Sequence, residues 1–444
     1  MTDLIFDRDG WAGGASEDED QATLTRLRVA VGNAVLTRTY NKRGGGESEA
    51  LNIPLFPLAQ HLAKTWWALL FEPQRPNSGE SFIARHRLDM PMHGYVFPPL
   101  ALCSAGDEAL LVDWTQDSDP HSPFEFRTAP PQEPVQVARG QAEPVLMDIV
   151  ATALERLNRS SSAFAQLSED WSRVTETMSK PGELEYSMAA GRLGLDPYDP
   201  DAPDVTALTS DLPPDLFNDI SDAIGLQQVA KAAKWTSEAR AGLTDCPEVE
   251  VGAFGQAPAD DLGLPAWKIG VRAANALRKR LNLSSERPAE GVAEMLCDAV
   301  WQSNALSHNG PPEVRSLVQR TNGKAYIGAI SRSARQQRFS ACAAVYVAWC
   351  SEPGDERAGT VALTRRQQAS RAFAAEMLAP QDYLRERAGS WGFTSEDIED
   401  AAGHLIAPFQ TVQWQAYRAG VDLWDVDLSR PPRGGIFAAA DDRF

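Results

Sequence analysis

The sequence is poor in the residues that build disulfide frameworks and metal sites. Among its 444 residues are five cysteines, without a CxxC pair, and six histidines. An odd number of scattered cysteines is typical of a protein from a reducing compartment. The two histidines of the C-terminal half, His308 and His404, have no partner at the spacing of metal ligands. We therefore expect no metal ion and no other cofactor.

Signals for membrane insertion or export are also missing. No stretch approaches the run of about 20 apolar residues that a membrane-spanning helix needs. The first residues contain no basic start followed by an apolar run, so they do not resemble a signal peptide. The sequence predicts a cytoplasmic protein without membrane contact.

Basic runs are short, and the formal net charge is −19. The longest run, Arg278-Lys279-Arg280, falls on a predicted helix, where a solvated face is the expected role. An acidic chain repels the phosphate backbone of nucleic acids. Specific nucleic-acid binding is therefore not expected.

The hydrophobic patterns predict an α+β protein of several domains. Alternating strands and turns dominate the first part, periodic helical segments follow, and helices around a β-hairpin form the C-terminal part. The expected segments are a flexible acidic N-terminus (1–22), an α+β domain of mainly antiparallel strands (23–141), a helical domain (142–245), a C-terminal domain (246–430) and a flexible tail (431–444).

Two helical segments dominate the predicted C-terminal domain. Residues 339–350 are apolar except for Ser340, which predicts a helix that is buried on all sides. A second helix is expected to begin at a capping box, formed by Thr364 and Gln367, and to end before Pro380.

This helical pair resembles the core of the ImmA/IrrE family of zinc metallopeptidases. Family members typically read Arg-Phe-Thr-x-Ala-His-Glu-x-x-His and, after a loop, Glu-Ala-Asn-x-Phe-Ala-Ala-Glu-Leu-Leu-Met-Pro. Residues 369–380 match the second block closely, and Arg338-Phe339-Ser340 match the start of the first. The resemblance implies a zincin-like fold for residues 246–430.

The resemblance fails at the positions that carry the chemistry. The two zinc histidines fall on Ala343 and Val347, and the general-base glutamate falls on Ala344. The third ligand falls on Gln368, or on Gln367 if the loop shifts the register. Zinc peptidases need two imidazoles, a third ligand and a carboxylate base. The resemblance therefore implies the fold but argues against the activity.

A β-hairpin with Asn322-Gly323 as a type I′ turn is predicted before the buried helix. In the resembled peptidases such a strand pairs with the backbone of an extended substrate. By this resemblance we expect a peptide-binding groove along one strand and the neighbouring helix, formed by Ala325, Tyr326, Ile327, Gly328, Arg371 and Glu376.

These observations favour a non-catalytic pseudopeptidase that binds a partner protein or peptide in a regulatory or stress/defence role. One alternative is an enzyme whose active site lies in the N-terminal domain or at a domain junction. Another is a DNA-binding regulator that uses residues 396–421, which resemble a helix-turn-helix pair. Acidic residues crowd the first of these helices, so a structural role is expected for the pair.

Overall fold

The chain divides after Val205 into two units, each with its own hydrophobic core. This computed structural model describes residues 2–14, 16–76, 78–116, 121–209, 211–284, 286–296, 310–330 and 333–426. The predicted tail, 431–444, lies outside the described residues. Helices and antiparallel sheets occur in both units, which confirms the prediction of a mixed α+β protein.

The first unit contains three small antiparallel sheets and six helices in its described part. Its strands are β1 (Leu4–Trp11), β2 (Leu24–Val31), β3 (Ala34–Val35), β4 (Thr39–Asn41), β5 (Glu47–Ser48), β6 (Leu51–Pro54), β7 (Leu100–Ser104), β8 (Ala109–Trp114), β9 (Phe124–Phe126) and β10 (Val135–Ala138). Its helices are α1 (Glu19–Ala22), α2 (Leu55–Phe71), α3 (Glu80–His86), α4 (Arg139–Arg156), α5 (Ser162–Met178) and α6 (Pro181–Arg192).

Helix α2 forms the centre of this unit because most of its surface is apolar and buried. Trp66 packs edge-on against Trp171 of α5 at a ring distance of 5.1 Å. Trp67 is also buried, and its indole N–H donates to the hydroxyl of Tyr198. Helices α4, α5 and α6 all pack against α2, so they belong to the core of the first unit.

The predicted flexible N-terminus, 1–22, is wrong for most of that segment. Strand β1 pairs with β2 from Leu4 opposite Val31 to Trp11 opposite Thr25. The backbone of β2 supplies the hydrogen-bond partners, and the guanidinium of Arg156 stacks on the ring of Trp11 at 5.1 Å. The acidic composition of this segment did not indicate a strand, because β1 is stabilised by pairing with β2 rather than by burial of its own side chains.

The second unit consists of one four-stranded sheet and the helices around it. Its strands are β11 (Glu248–Val249), β12 (Val314–Arg320), β13 (Ala325–Ala329) and β14 (Glu356–Thr360). Its helices are α7 (Thr206–Thr209), α8 (Pro214–Ala223), α9 (Leu226–Arg240), α10 (Ala266–Arg280), α11 (Pro288–Leu296), α12 (Ala334–Trp349), α13 (Arg365–Leu378), α14 (Gln381–Ala388), α15 (Ser395–Leu405) and α16 (Phe409–Arg418). The strand order is β11-β13-β12-β14, and all neighbours are antiparallel.

A separate helical domain at 142–245 is not seen. Helices α4 to α6 pack in the first unit, whereas α8 packs on β14 in the second. The helical periodicity of this segment showed that each helix has an apolar face, but it did not show which core that face joins.

The predicted buried helix is confirmed as α12, in which every residue from Ser340 to Trp349 is buried. It packs on one face of the sheet and against α13. Helix α10 crosses α13 at very short range through Gly270, where a Cβ atom would lie 2.1 Å from the carbonyl oxygen of Ala369. Helix α13 therefore packs closely against both α10 and α12.

The predicted hairpin is confirmed as β12 and β13, but its turn is not type I′. Gly323 has a positive φ of +80°, and Asn322 does not share it. A type I′ turn requires positive φ at both central residues.

None of the helices in the described part of the chain combines the length and apolar character needed to cross a bilayer.

Candidate functional site

The positions that the resemblance assigns to the catalytic histidines and glutamate lie inside the core of the second unit. Ala343 is 7% exposed, and Ala344 and Val347 are fully buried. All three belong to the apolar cluster that α12 forms with α13 and the sheet. Methyl and isopropyl groups offer no lone pair to a metal and no base for a proton. The residues present at this site do not fit a zinc ion.

The position of the third ligand is also occupied by groups with a structural role. The side-chain amide of Gln368 donates to the carbonyl of Leu363. Gln367 is buried and bonds the backbone of β14 twice, accepting from Thr360 N at 2.8 Å and donating to Ala358 O at 2.7 Å. Counted back from Phe373 without a gap, the same position falls on Ala369, which has no donor atom. Within the described ranges, no group of three or more His, Cys, Asp or Glu side chains is arranged to hold a metal ion.

The capping box predicted for α13 is wrong, although the helix boundary is right. Thr364 occupies the N-cap position, but its side chain makes no capping hydrogen bond. Gln367, the expected second member of the box, points instead to the sheet. The buried backbone groups of β14 require hydrogen-bond partners, and Gln367 bonds to them instead of completing the capping box.

Both edges of strand β13 are paired with other segments of the chain over the predicted residues, so neither edge is open to a peptide. On one side, Tyr326, Ile327 and Gly328 pair with β12. On the other, Glu248 and Val249 of β11 pair with Tyr326 and Ala325, and the N–H of Ile327 donates to the carbonyl of Pro247 at 3.0 Å. A peptide that paired with this edge would have to displace residues 247–249.

The outer edge of the sheet, at β14, is closed by side chains. The N–H of Ala358 donates to Asp219 Oδ2 of α8 at 2.9 Å, and Gln367 bonds both Ala358 O and Thr360 N. Thr360 O accepts from Arg371 Nη1 at 3.0 Å. The outward backbone groups of these two residues are therefore satisfied without a further strand. This arrangement protects an edge from pairing with other chains.

Arg371 and Glu376, which were assigned to the same groove, belong to different sites. Arg371 lies beside Thr360, and burial lowers its pKa to about 10. Glu376 Oε2 accepts from the side-chain amide of Gln415 on α16 at 2.7 Å. Arg371 and Glu376 are five positions apart on α13, so their side chains point in directions that differ by about 140°.

Glu376 is a buried carboxyl group with a strongly shifted pKa. The side chain is 3% exposed, and burial raises its pKa to about 7. Hydrogen bonds from Gln415, from the backbone N–H of Gln381 and from Asn275 favour the carboxylate but do not offset the burial. The group changes charge near neutral pH and lines a surface pocket, which is a common property of functional carboxyl groups.

Arg278, which lines the same pocket, was not recognised as a site residue from the sequence. The basic run was predicted to be a solvated face, but Arg278 is 8% exposed and burial lowers its pKa. Its guanidinium donates to Met377 O at the end of α13 and to Ser284 O. Gly270 and Ala274 precede it at intervals of four on the buried face of α10, and this spacing is a sequence signal from which its burial could have been predicted.

The helix-turn-helix-like pair corresponds to α15 and α16. The inward faces of both helices join the apolar core of the unit. Of the two glutamines at the start of the second helix, Gln413 is 7% exposed, whereas Gln410 is exposed. The burial of the inward faces agrees with the structural role expected for the pair.

The surface of the second unit also carries large exposed aromatic side chains. Trp391 is 87% exposed and Trp424 is 58% exposed. They are neighbours, because the indole N–H of Trp424 donates to the carbonyl of Trp391 at 2.9 Å. We call these two residues the indole pair.

Comparisons of the chain with protein-family models, with curated proteins and with solved structures gave no match.

Proposed function

We propose that the second unit is a pseudopeptidase with the zincin-like fold of the ImmA/IrrE family and that it binds a partner protein in a regulatory or stress/defence role. The order of helix, helix, hairpin, buried helix, strand and helix supports this relationship. The observation that carries the proposal is the aliphatic core at Ala343, Ala344 and Val347, where a peptidase would hold its metal and its base.

The first test is the metal content of the purified full-length protein. We expect no stoichiometric zinc, because Ala343 and Val347, which occupy the positions of the two zinc histidines, have no atom that can bind a metal ion. About one zinc ion per chain, retained through mild chelation, would contradict the proposal, because structural and catalytic zinc sites bind tightly.

The indole pair is the best candidate for the contact with the partner. Exposed aromatic side chains are frequent anchors of protein interfaces. The nearby side chains of Asp422 and Asp425 are exposed and acidic, which favours a partner that surrounds an apolar pocket with basic groups. Strand pairing is a less suitable mode, since residues 247–249 already occupy the edge of β13.

The second test compares affinity capture by the wild-type protein, by the double variant Trp391→Ser/Trp424→Ser and by the control Met90→Ser. Met90 is 59% exposed in the first unit and is unrelated to the indole pair. We expect a protein that binds directly when purified, binds the control equally and binds the double variant at least about tenfold more weakly, as for interface anchors. Cleavage of that protein would overturn the non-catalytic proposal. Equal binding to the wild type, the double variant and the control would exclude the indole pair as the partner contact.

A further inference from the structure

A pocket opens on the second unit between α10, the C-terminal end of α13 and α14. Its volume is about 380 Å³, which lies within the range of small-molecule sites. Glu376 and Arg278 form its buried part, and Asn275, Lys279, Asp382 and Glu386 belong to its exposed part. Its lining includes neither the residues at the positions of the zinc ligands nor the indole pair.

The buried part contains two groups of opposite charge, each of which is hydrogen-bonded to neutral partners. Arg278 donates to two backbone carbonyls, Met377 O at 3.1 Å and Ser284 O at 2.8 Å. Glu376 accepts from the amide of Gln415 at 2.7 Å and from the backbone N–H of Gln381 at 3.4 Å. Within the described residues, no direct ion pair joins Arg278 or Glu376 to an opposite charge. The negative charge of Glu376 acts on Arg278 but does not offset the lowering of the Arg278 pKa by burial. Burial makes the charged form of each group costly, and a ligand that brings an opposite charge next to each group reduces this cost.

The exposed part repeats the same separation of charge. Lys279 lies on the α10 side of the pocket, and Asp382 and Glu386 lie on the α14 side. Arg278 and Lys279 both line the pocket from α10, so the cationic groups belong to one wall. The pocket therefore offers cations on one side and carboxylates on the other and at its floor, a distribution that complements a small molecule carrying both charges.

We propose that this pocket binds a small zwitterion of the α-amino-acid class, with its carboxylate toward Arg278 and Lys279 and its ammonium group toward Glu376 and the carboxylates of α14. The raised pKa of Glu376 agrees with this arrangement, because an ammonium group would stabilise the ionised carboxylate that burial disfavours. Binding is non-covalent and does not depend on the proposed pseudopeptidase function.

The experiment measures the thermal unfolding of the full-length protein with each common L-amino acid in turn at about 10 mM, since a ligand that binds the native state raises Tm. We expect at least one amino acid to raise Tm. Calorimetric titration with that amino acid should then show binding that is lost when its carboxylate is converted to the amide or its amine is acetylated.

Variants identify the pocket. Glu376→Gln keeps the shape of the side chain and should weaken binding of the selected amino acid at least about tenfold, and Lys279→Glu should weaken it to a similar extent. Lys268→Glu is the matched control, because it changes the same charge on the same helix about 16 Å away, at 1.5 Å per residue. We expect it to bind as the wild type does.

Three results would overturn the proposal: no amino acid raises Tm, the amide or the acetylated derivative binds as well as the free amino acid, or both pocket variants bind normally. If Glu376→Gln does not fold, Lys279→Glu decides alone, since Lys279 is exposed and tolerates substitution.

Discussion

Two buried glutamates, Glu72 in the first unit and Glu376 in the second, have opposite electrostatic surroundings. Burial opposes ionisation of Glu72, but hydrogen bonds and charges from His86 and Arg85 outweigh it and lower the pKa to about 2. Near Glu376, Asp382 adds a negative charge to the effect of burial, and the pKa rises to about 7. The same residue type is thus held as an anion in one core and keeps its proton up to near-neutral pH in the other.

Glu376 predicts that stability decreases as pH rises from about 4.5 to 7. Its folded pKa exceeds its unfolded value of 4.5, so the native state binds the proton more tightly than the unfolded state. This contribution to stability is complete below pH 4.5 and is lost progressively as pH rises to about 7. Glu376→Gln does not titrate. Relative to the wild type, its free energy of unfolding should therefore increase by up to roughly 3 kcal/mol between pH 5 and pH 8.

Urea unfolding at the two pH values measures this difference. Glu399→Gln, on the exposed face of α15, is the control and should follow the wild type. If the wild type and Glu376→Gln showed the same pH dependence, Glu376 would have the same pKa in the folded and the unfolded state, which would contradict the prediction.

Glu72 predicts the reverse dependence. Its folded pKa lies below the unfolded value, so its contribution is complete above pH 4.5 and is lost as pH falls toward 2. At pH 7, Glu72→Gln should lower the free energy of unfolding by about 3 kcal/mol, because it leaves His86 and Arg85 without their carboxylate. Denaturant titrations at pH 7 and pH 3 should show a smaller loss at pH 3. Glu47→Gln, which breaks an exposed pair with Arg38, should have a far smaller effect, and an equal loss would contradict the prediction.

At the scale of elements, the edges of the sheet decide what the second unit can bind. Residues 247–249 occupy one edge, and side chains of α8 and α13 satisfy the other. Natural sheets commonly protect their edges in such ways, because an open edge pairs with other chains. The closed edges therefore favour surface side chains over strand addition as the mode of the proposed partner contact.

The edge of β14 predicts unequal roles for two adjacent glutamines. Gln367→Ala removes the partners of two buried backbone groups and should lower the free energy of unfolding by about 3 kcal/mol. Gln368→Ala removes one hydrogen bond of a half-buried side chain, and its cost should stay below about 1 kcal/mol. Equal losses in denaturant unfolding would show that the edge is satisfied in another way.

At the scale of the whole molecule, the boundary after Val205 assigns α8 and α9 to the second unit. Asp219 of α8 bonds the buried guanidinium of Arg357 at 2.8 Å and the backbone of Ala358 at 2.9 Å. A fragment that starts at 246 would leave Arg357, which is 4% exposed, without this carboxylate.

We therefore predict that fragments 1–205 and 206–430 each unfold cooperatively, whereas fragment 246–430 is unstable or insoluble. Circular dichroism and thermal unfolding of the three fragments test the boundary. Cooperative unfolding of fragment 246–430 with the same Tm as fragment 206–430 would show that α8 and α9 are dispensable.

The sequence by itself determined the features that depend on local pattern and on residue type. The apolar run of residues 339–350 predicted a buried helix, and the Asn322-Gly323 pair indicated a hairpin. Ala343 and Val347 lack the donor atoms with which the resembled peptidases bind zinc. None of these conclusions needs to know which distant residues are neighbours.

Only the tertiary structure decided which core each helix joins, how the sheet edges are closed and where the charged pocket lies. Asn275, Glu376 and Gln415 are far apart in the chain and meet only through the packing of α10, α13 and α16. Periodicity shows that a helix has a face to bury but not the partner that buries it, and the environment that shifts a pKa comes from that partner. For this reason Arg278 was predicted to be solvated and the N-terminal strand to be flexible, although both are held by residues far away in the sequence.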